Sequence, residues 1–327
     1  MSRRRPDIGD LVAGAQQGQP RAVARLISLI EDGAPELRDV AAALAPYTGR
    51  AQVVGITGSP GVGKSTSINV LVTALRVTGK KVGVLAVDPS SPFSGGALLG
   101  DRVRMQDHAT DDGVFIRSMA TRGHLGGIAA ATPQALRVLD AAGCDVVLVE
   151  TVGVGQSEVE VVSLADTTVV LLAPGMGDGI QAVKAGILEV ADIFVVNKAD
   201  RDGADQTVRD LRYMISLGRR DKQGPSWRPP IVRTVAIEVE GKVEGVDDLV
   251  AAIEQHRDWM IGHGELDARR QRRAEAEIEA IALARLRAKL GDVQRGQSML
   301  SGLAKRVVVG ELDSYRAAEE LVSLRGS

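Results

Sequence analysis

One octapeptide, Gly58-Ser59-Pro60-Gly61-Val62-Gly63-Lys64-Ser65, fits the pattern G-x-x-x-x-G-K-[ST]. Glycines at these places let successive backbone N–H groups converge on phosphate oxygens. A lysine in the seventh place reaches the β and γ oxygens, and a hydroxyl in the eighth can take a place on Mg²⁺. The pattern therefore points to a nucleotide held by Gly58, Pro60, Gly61, Val62, Gly63, Lys64, Ser65 and the adjoining Thr66. Its physical meaning depends on a strand leading in and a helix leading out. Both are present: Val53-Val54-Gly55-Ile56-Thr57 is apolar and β-branched, and a helix pattern begins at Lys64.

A second tetrapeptide, Asn197-Lys198-Ala199-Asp200, follows the apolar run Ile193-Phe194-Val195-Val196 and selects the base. A carboxylate at Asp200 can accept from both N1–H and the 2-amino group of guanine, whereas adenine offers no such donor pair. Asn197 can bond the purine edge and hold neighbouring loops, and Lys198 can lie along the ring. GTP is favoured over ATP.

Asp88 and Glu150 close two further apolar runs, so both can reach a hydrated Mg²⁺ beside Ser65. Asp101, in Gly100-Asp101-Arg102, is a candidate for the nucleophilic water or the metal once the region 89–131 closes. The Gly153 N–H, in Glu150-Thr151-Val152-Gly153-Val154-Gly155-Gln156-Ser157, can sense a γ-phosphate. No glutamine follows Gly153 directly and Val154 is apolar, so slow intrinsic turnover is expected, with a stimulating group from a partner or a second copy. The loop from Ala173 to Lys184 is a further glycine-hinged switch candidate.

The elements that position these residues follow from periodicity. Short apolar strands at 52–57, 81–87, 144–150, 167–173, 192–197 and 231–236 alternate with helices. Near-continuous Val, Leu and Ile content suits parallel strands covered on both faces. The expected fold is α/β, a doubly wound, mostly parallel sheet with its ligand at the carboxyl ends of the strands. Residues 1–50 form a helical extension, 51–262 the nucleotide domain and 263–327 a helical arm. The span 89–131 is glycine-rich and reads as a set of loops that close on the nucleotide or a partner, in preference to a loosely packed surface excursion with short helices. The run Arg269-Arg270-Gln271-Arg272-Arg273 opens a long helix over 265–290 and reads as a solvated face paired with nearby glutamates. The same helix carries Ile278, Ala282, Leu286 and Leu290 at four-residue spacing, an apolar seam that predicts a homodimer.

Composition narrows the class. A net charge of −2 gives no long-range attraction for nucleic acid, and 2% aromatic residues leave no stacking platform for single strands. The basic start turns polar without an apolar stretch, and no later segment reaches membrane-spanning length, so a cytoplasmic protein with no membrane partner is expected. The one cysteine, Cys144, opens an apolar run and reads as a buried small residue in a reducing compartment. The four histidines have no metal-site spacing.

Taken together, the phosphate loop, Val87-Asp88-Pro89-Ser90-Ser91, Gly100-Asp101-Arg102, His124-Leu125-Gly126-Gly127, Glu150 to Glu158 and Asn197-Lys198-Ala199-Asp200 resemble the MeaB/ArgK family of GTPases associated with methylmalonyl-CoA mutase. The resemblance covers roughly 6–325. It implies a homodimeric P-loop GTPase that gates adenosylcobalamin delivery to an acyl-CoA mutase and protects or reactivates it. Lys64 and Ser65 take the phosphate and Mg²⁺ roles, Asp88, Asp101 and Glu150 the metal-proximal roles, and Gly153 the phosphate-sensing role. Asp178 and Lys184 fall in the family's extra switch loop. Two stretches depart from the pattern. Ser118 to Gly123 replaces a proline- and serine-rich stretch, and Arg122 there is a candidate for catalysis or the mutase interface. Thr234-Val235-Ala236-Ile237-Glu238 lacks the usual Ser-Ala pair, although the Ala236 N–H can still serve the guanine oxygen. The alternatives are a maturation GTPase of the hydrogenase or urease type, which calls for a Cys/His transfer site, and a scaffold with an inert nucleotide site.

Overall fold

A computed structural model of the chain describes residues 7–88, 108, 110–120, 127–151, 163–175, 191–217, 226–239, 242–290 and 295–323. Three helices lead: α1 (Ile8–Gln16), α2 (Pro20–Glu31) and α3 (Leu37–Leu44). Asp7 caps the first by accepting from the Asp10 N–H, and Pro20 opens the second at a position where its missing N–H costs nothing.

The central domain then alternates β1 (Gln52–Thr57), α4 (Lys64–Val77), β2 (Val82–Asp88), β3 (Val114–Ala120), α5 (Gly127–Ala141), β4 (Val146–Thr151), β5 (Thr167–Leu172), β6 (Ile193–Asn197), α6 (Ala204–Leu217), β7 (Ile231–Val239), β8 (Lys242–Glu244) and α7 (Val246–Gly262). The strands form one sheet in the order β3-β2-β4-β1-β5-β6-β7-β8, parallel except for the β7–β8 hairpin. Order reverses around β1, which places the phosphate loop at the crevice where open α/β sheets bind ligands. Strands β1, β5 and β6 are buried along their whole length, as their unbroken apolar runs require.

Helices cover both faces. On one, Leu26, Ile27, Val40 and Leu44 of the leading helices share a core with Leu139, Leu85 and Val149. On the other, Ile68, Leu71, Leu249 and Ile253 pack on Val54, Ile56 and Leu148. The leading helices thus bury their apolar stripes on the sheet domain. Gly245, before α7, is at φ 73°, and a Cβ there would lie 1.8 Å from the Arg233 carbonyl oxygen, so the turn into α7 admits only glycine.

Three expectations change. The span 89–131 contains a strand, β3, paired in register with β2; Arg117 and Ser118 interrupt its apolar run, but one terminal nitrogen of Arg117 donates to Ser28 and Glu31 of α2. The final strand continues to Val239 and turns into β8, a partner too short to show a period. The arginine run is not simply a solvated face: Arg269, Arg270 and Arg273 reach the buried Asp192 and Asp166, while the expected glutamate pairing is made at Glu265, by Arg272 and by Arg269.

The chain divides into compact units Met1–Arg273 and Ala274–Ser327. The helix α8 (Glu265–Leu290) begins in the first; α9 (Arg295–Val308) and α10 (Ser314–Ser323) complete the second. Within the second, Leu303 and Ala317 are buried and Arg306 pairs with Glu320 at 3.0 Å. Its Ile278, Leu286, Leu300, Val308 and Tyr315 are exposed. Among the described residues no helix is long and apolar enough to cross a membrane.

Cys144 lies in the core beside Leu139 and Gly83, and burial pushes its thiol up from 9.0 to about 12. The thiolate is the nucleophile, so iodoacetamide at pH 8 should leave folded protein unmodified and label it rapidly in urea, as mass spectrometry would read. Because the unfolded thiol ionises first, stability falls as pH rises from about 9 toward about 12.

Candidate nucleotide site

The loop between β1 and α4 is shaped by three glycines in the left-handed region: Gly58 at φ 146°, Gly61 at 81° and Gly63 at 97°. Gly58 passes so close to β5 that a Cβ would sit 2.3 Å from the Leu171 carbonyl oxygen. Nothing lies within 4 Å of the Cβ position on Gly61. Gly63 is the N-cap of α4 and supplies no side-chain cap bond, so the first-turn amides, which have no intrahelical acceptors, are left for an outside acceptor.

Lys64 folds back across the loop, donating from Nζ to the Gly58 carbonyl at 2.6 Å and the Ser59 carbonyl at 3.4 Å. Those carbonyls hold the ammonium over the loop, where phosphate oxygens can replace them as acceptors. Ser65 donates from Oγ to Glu150 Oε1 at 2.7 Å. The pairing follows from register: Ile56 lies level with Glu150, so the acid stands beside the start of the loop. Pro60 and Gly61 are exposed at the crest, Val62 is buried beneath, and Thr66 is half-buried.

Asn197 ties the base loop to the phosphate loop. It is buried, donates from Nδ2 to the Val62 carbonyl at 2.8 Å, and accepts at Oδ1 from Thr234 Oγ1 at 3.2 Å and the Ala236 N–H at 3.3 Å. Lys198, at φ 55°, donates from Nζ to the Gly61 carbonyl at 2.7 Å. A non-glycine residue in that region costs about 1–3 kcal/mol, which the two loop contacts offset. Asp200 is exposed, and among the described residues it makes no hydrogen bond or ion pair. The Ala236 amide, expected to be available to guanine, is shared with Asn197 through a long bond. The Thr234 hydroxyl, at the height of Asn197 on the adjacent strand, joins this cluster, a role that strand register reveals and the sequence does not.

Asp88 ends β2 one residue past the pair Val87 and Thr151, so its backbone lies at the same sheet edge. Asp101, Gly153, Arg122, Asp178 and Lys184 lie outside the described residues. Ser65 Oγ and the Glu150 carboxylate form a pair of hard oxygens at a buried strand end, and this donor chemistry fits Mg²⁺.

A Cβ on Gly63 would approach Asn197 Nδ2 to 2.6 Å. Gly63→Ala should therefore both strain the turn and break the tie between the loops, lowering stability by about 1–3 kcal/mol. Thermal melting and nucleotide affinity, measured on the same protein, would both fall.

A parallel sheet that switches direction at a glycine loop, with Lys64 and Ser65 at the helix start, defines a P-loop nucleotide hydrolase. The sequence matches the family described as methylmalonyl Co-A mutase-associated GTPase MeaB over residues 23–294. It is 47% identical over 316 residues to a putative GTPase of Pyrococcus abyssi, PYRAB02490, covering 96% of each chain. It is also 36% identical over 272 residues to the GTPase ArgK of Escherichia coli K12, covering 82% of this chain and 81% of that one. Among solved structures, one titled LAO/AO transport system kinase superposes with a TM-score of 0.73 at 26% identity, covering both chains in full. The chain belongs to the MeaB family of GTPases and is a GTP hydrolase.

Proposed function

We propose that this GTPase is a metallochaperone-like switch that gates adenosylcobalamin delivery to a cobalamin-dependent acyl-CoA mutase, such as methylmalonyl-CoA mutase, and protects or reactivates that enzyme in the cytoplasm. The observation that supports the nucleotide part is the double tie of Asn197 to Val62 and Lys198 to Gly61, which joins the loop assigned to the base to the loop assigned to the phosphates. The mutase part rests on membership of a family described by that association.

In this reading Lys64 leaves the loop carbonyls for the β and γ oxygens, and the first-turn amides of α4 receive the α and β oxygens. Asp200 accepts from guanine, and the Ala236 amide, held by Asn197 Oδ1 only at a long 3.3 Å, turns part of its hydrogen bond to the guanine oxygen. Ser65 and Glu150, joined by Asp88 and Asp101 in this assignment, would hold Mg²⁺, which would supply charge neutralisation at the phosphates. Gly153 reports the γ-phosphate to the switch loops. Residues 263–327 serve as a dimerisation arm whose apolar seam, exposed at Ile278 and Leu286, meets a second copy.

The test is GTP turnover with and without purified cobalamin-dependent mutases, alongside co-purification. Stimulated turnover and a stable complex with one mutase are expected. Absence of both with every such mutase would remove the chaperone role and leave a GTPase with another client.

A further inference from the structure

The end of the sheet opposite the phosphate loop is held by charges. Asp166 and Asp192 are buried and stand immediately before β5 and β6. Asp192 receives a two-pronged grip from Arg269, with NH1 to Oδ2 and NH2 to Oδ1 both at 2.8 Å, and its Oδ2 also accepts from the Thr168 N–H at 2.8 Å. His256 adds Nε2 at 3.3 Å while its Nδ1 meets Thr167 Oγ1 at 2.9 Å, and Trp227 donates to the Asp192 carbonyl at 2.6 Å. Asp166 accepts from Arg270 at 2.9 Å, from Arg273 at 3.2 Å and from the Val53 N–H at 3.0 Å. Arg270 also donates to the carbonyls of Gly49 at 2.6 Å and Ala51 at 2.9 Å, the latter just before β1.

The strands so gripped are those that meet the nucleotide loop at their far ends. Strand β1 runs directly into Gly58. Strand β5 presents the Leu171 carbonyl against Gly58, and β6 ends in Asn197, which holds Val62. Each is five or six residues long. A buried ion pair adds little stability over an apolar replacement, but its bidentate geometry fixes position.

We propose that Arg269 and Arg270, acting through Asp192 and Asp166, are positioning residues for the nucleotide site: they set the axial placement of β5 and β6 and so the fit of Leu171 and Asn197 to the phosphate loop. This rests on reading that loop as the guanine-nucleotide site. Asp200 lies three residues beyond Asn197, so a loosened β6 also blurs recognition of the 2-amino group.

The experiment uses full-length Arg269→Gln, Arg270→Gln and the double variant, with Arg269→Lys as a change that keeps charge but loses the fork. Affinities for GDP and for IDP, which lacks the 2-amino group, are measured with thermal melting. GDP affinity should fall about tenfold, and the preference for GDP over IDP should narrow, with lysine failing to restore it. A purely structural role would lower the melting temperature and leave that preference intact, which would overturn the proposal. Because coupling is reciprocal, GDP should also slow amide exchange at Val53 and Thr168 in the unaltered protein. That measurement decides the matter if the variants do not fold: no change in exchange on GDP binding overturns the proposal. Failure of the unaltered protein to bind GDP would instead refute the nucleotide-site reading itself.

Discussion

Lys64→Ala should lower kcat/KM for GTP by on the order of 10²–10³-fold, the usual loss when one preorganised donor to developing charge is removed. The ammonium is held over the loop by the Gly58 and Ser59 carbonyls, at 2.6 and 3.4 Å, so it needs little reorganisation to meet the phosphates. No other described side chain brings a cation into the loop's concavity; Lys198 is engaged outside it with Gly61. Phosphoryl transfer offers the protein little covalent work, so this positioned charge is a large share of what the chain contributes. The fold should not suffer. Lys64 is the first residue of α4 and half-buried, and alanine is the better helix former, so stability should stay within about 0.5 kcal/mol. Phosphate release and thermal melting, measured together, separate the two effects. Unchanged turnover in a folded variant would place the chemistry elsewhere.

What could be read from the residues followed from how strongly physics constrains them. Parallel strands covered on both faces must be apolar throughout, so β1, β4, β5 and β6 announce themselves as unbroken Val, Leu and Ile runs. Strand β3 does not, because Arg117 crosses it and finds its partners on α2, some 86 residues earlier. The glycine loop and the Asn197 tetrapeptide are legible because backbone approach to phosphate and recognition of a purine edge tolerate few residue types. The contact between Ser65 and Glu150 is not, since it depends on the register that sets Ile56 beside Glu150. The grip of Arg269 and Arg270 on Asp192 and Asp166 is hidden for a different reason. Arginines spaced along a helix beside glutamates resemble a solvated face, and only the fold reveals that Asp166 and Asp192 lie within reach. A trace was there: both aspartates occur in the dipeptide Ala-Asp placed directly before a β-branched or apolar strand run, at Ala165-Asp166 and Ala191-Asp192. Acids repeated at strand starts need cations once the sheet is covered.

Asp200→Asn should transfer the base preference from guanine to xanthine. In the proposed site the carboxylate would accept from N1–H and from the 2-amino group, two hydrogen bonds to a charged acceptor worth about 1.5–3 kcal/mol each. Asparagine keeps one acceptor and turns a donor toward the 2-amino group, so GDP loses one bond and meets an opposed donor. Xanthine carries an oxygen at that place and accepts the new donor. GDP affinity should fall by about 10²–10⁴-fold, with XDP rising by a similar factor. The substitution is a clean one. Asp200 is exposed and makes no hydrogen bond or ion pair among the described residues, while the loop is held independently by Asn197, by Lys198 and by the bond from the Ala199 N–H to the Thr234 carbonyl at 3.1 Å. Melting temperature without nucleotide should therefore be unchanged. Competition binding of GDP, XDP and ADP reads the outcome. ADP should stay excluded, since the Asn197 cluster and the Ala236 amide are untouched and adenine presents an amino group toward that amide. A GDP to XDP ratio equal to that of the unaltered protein would mean that the base is read by other residues.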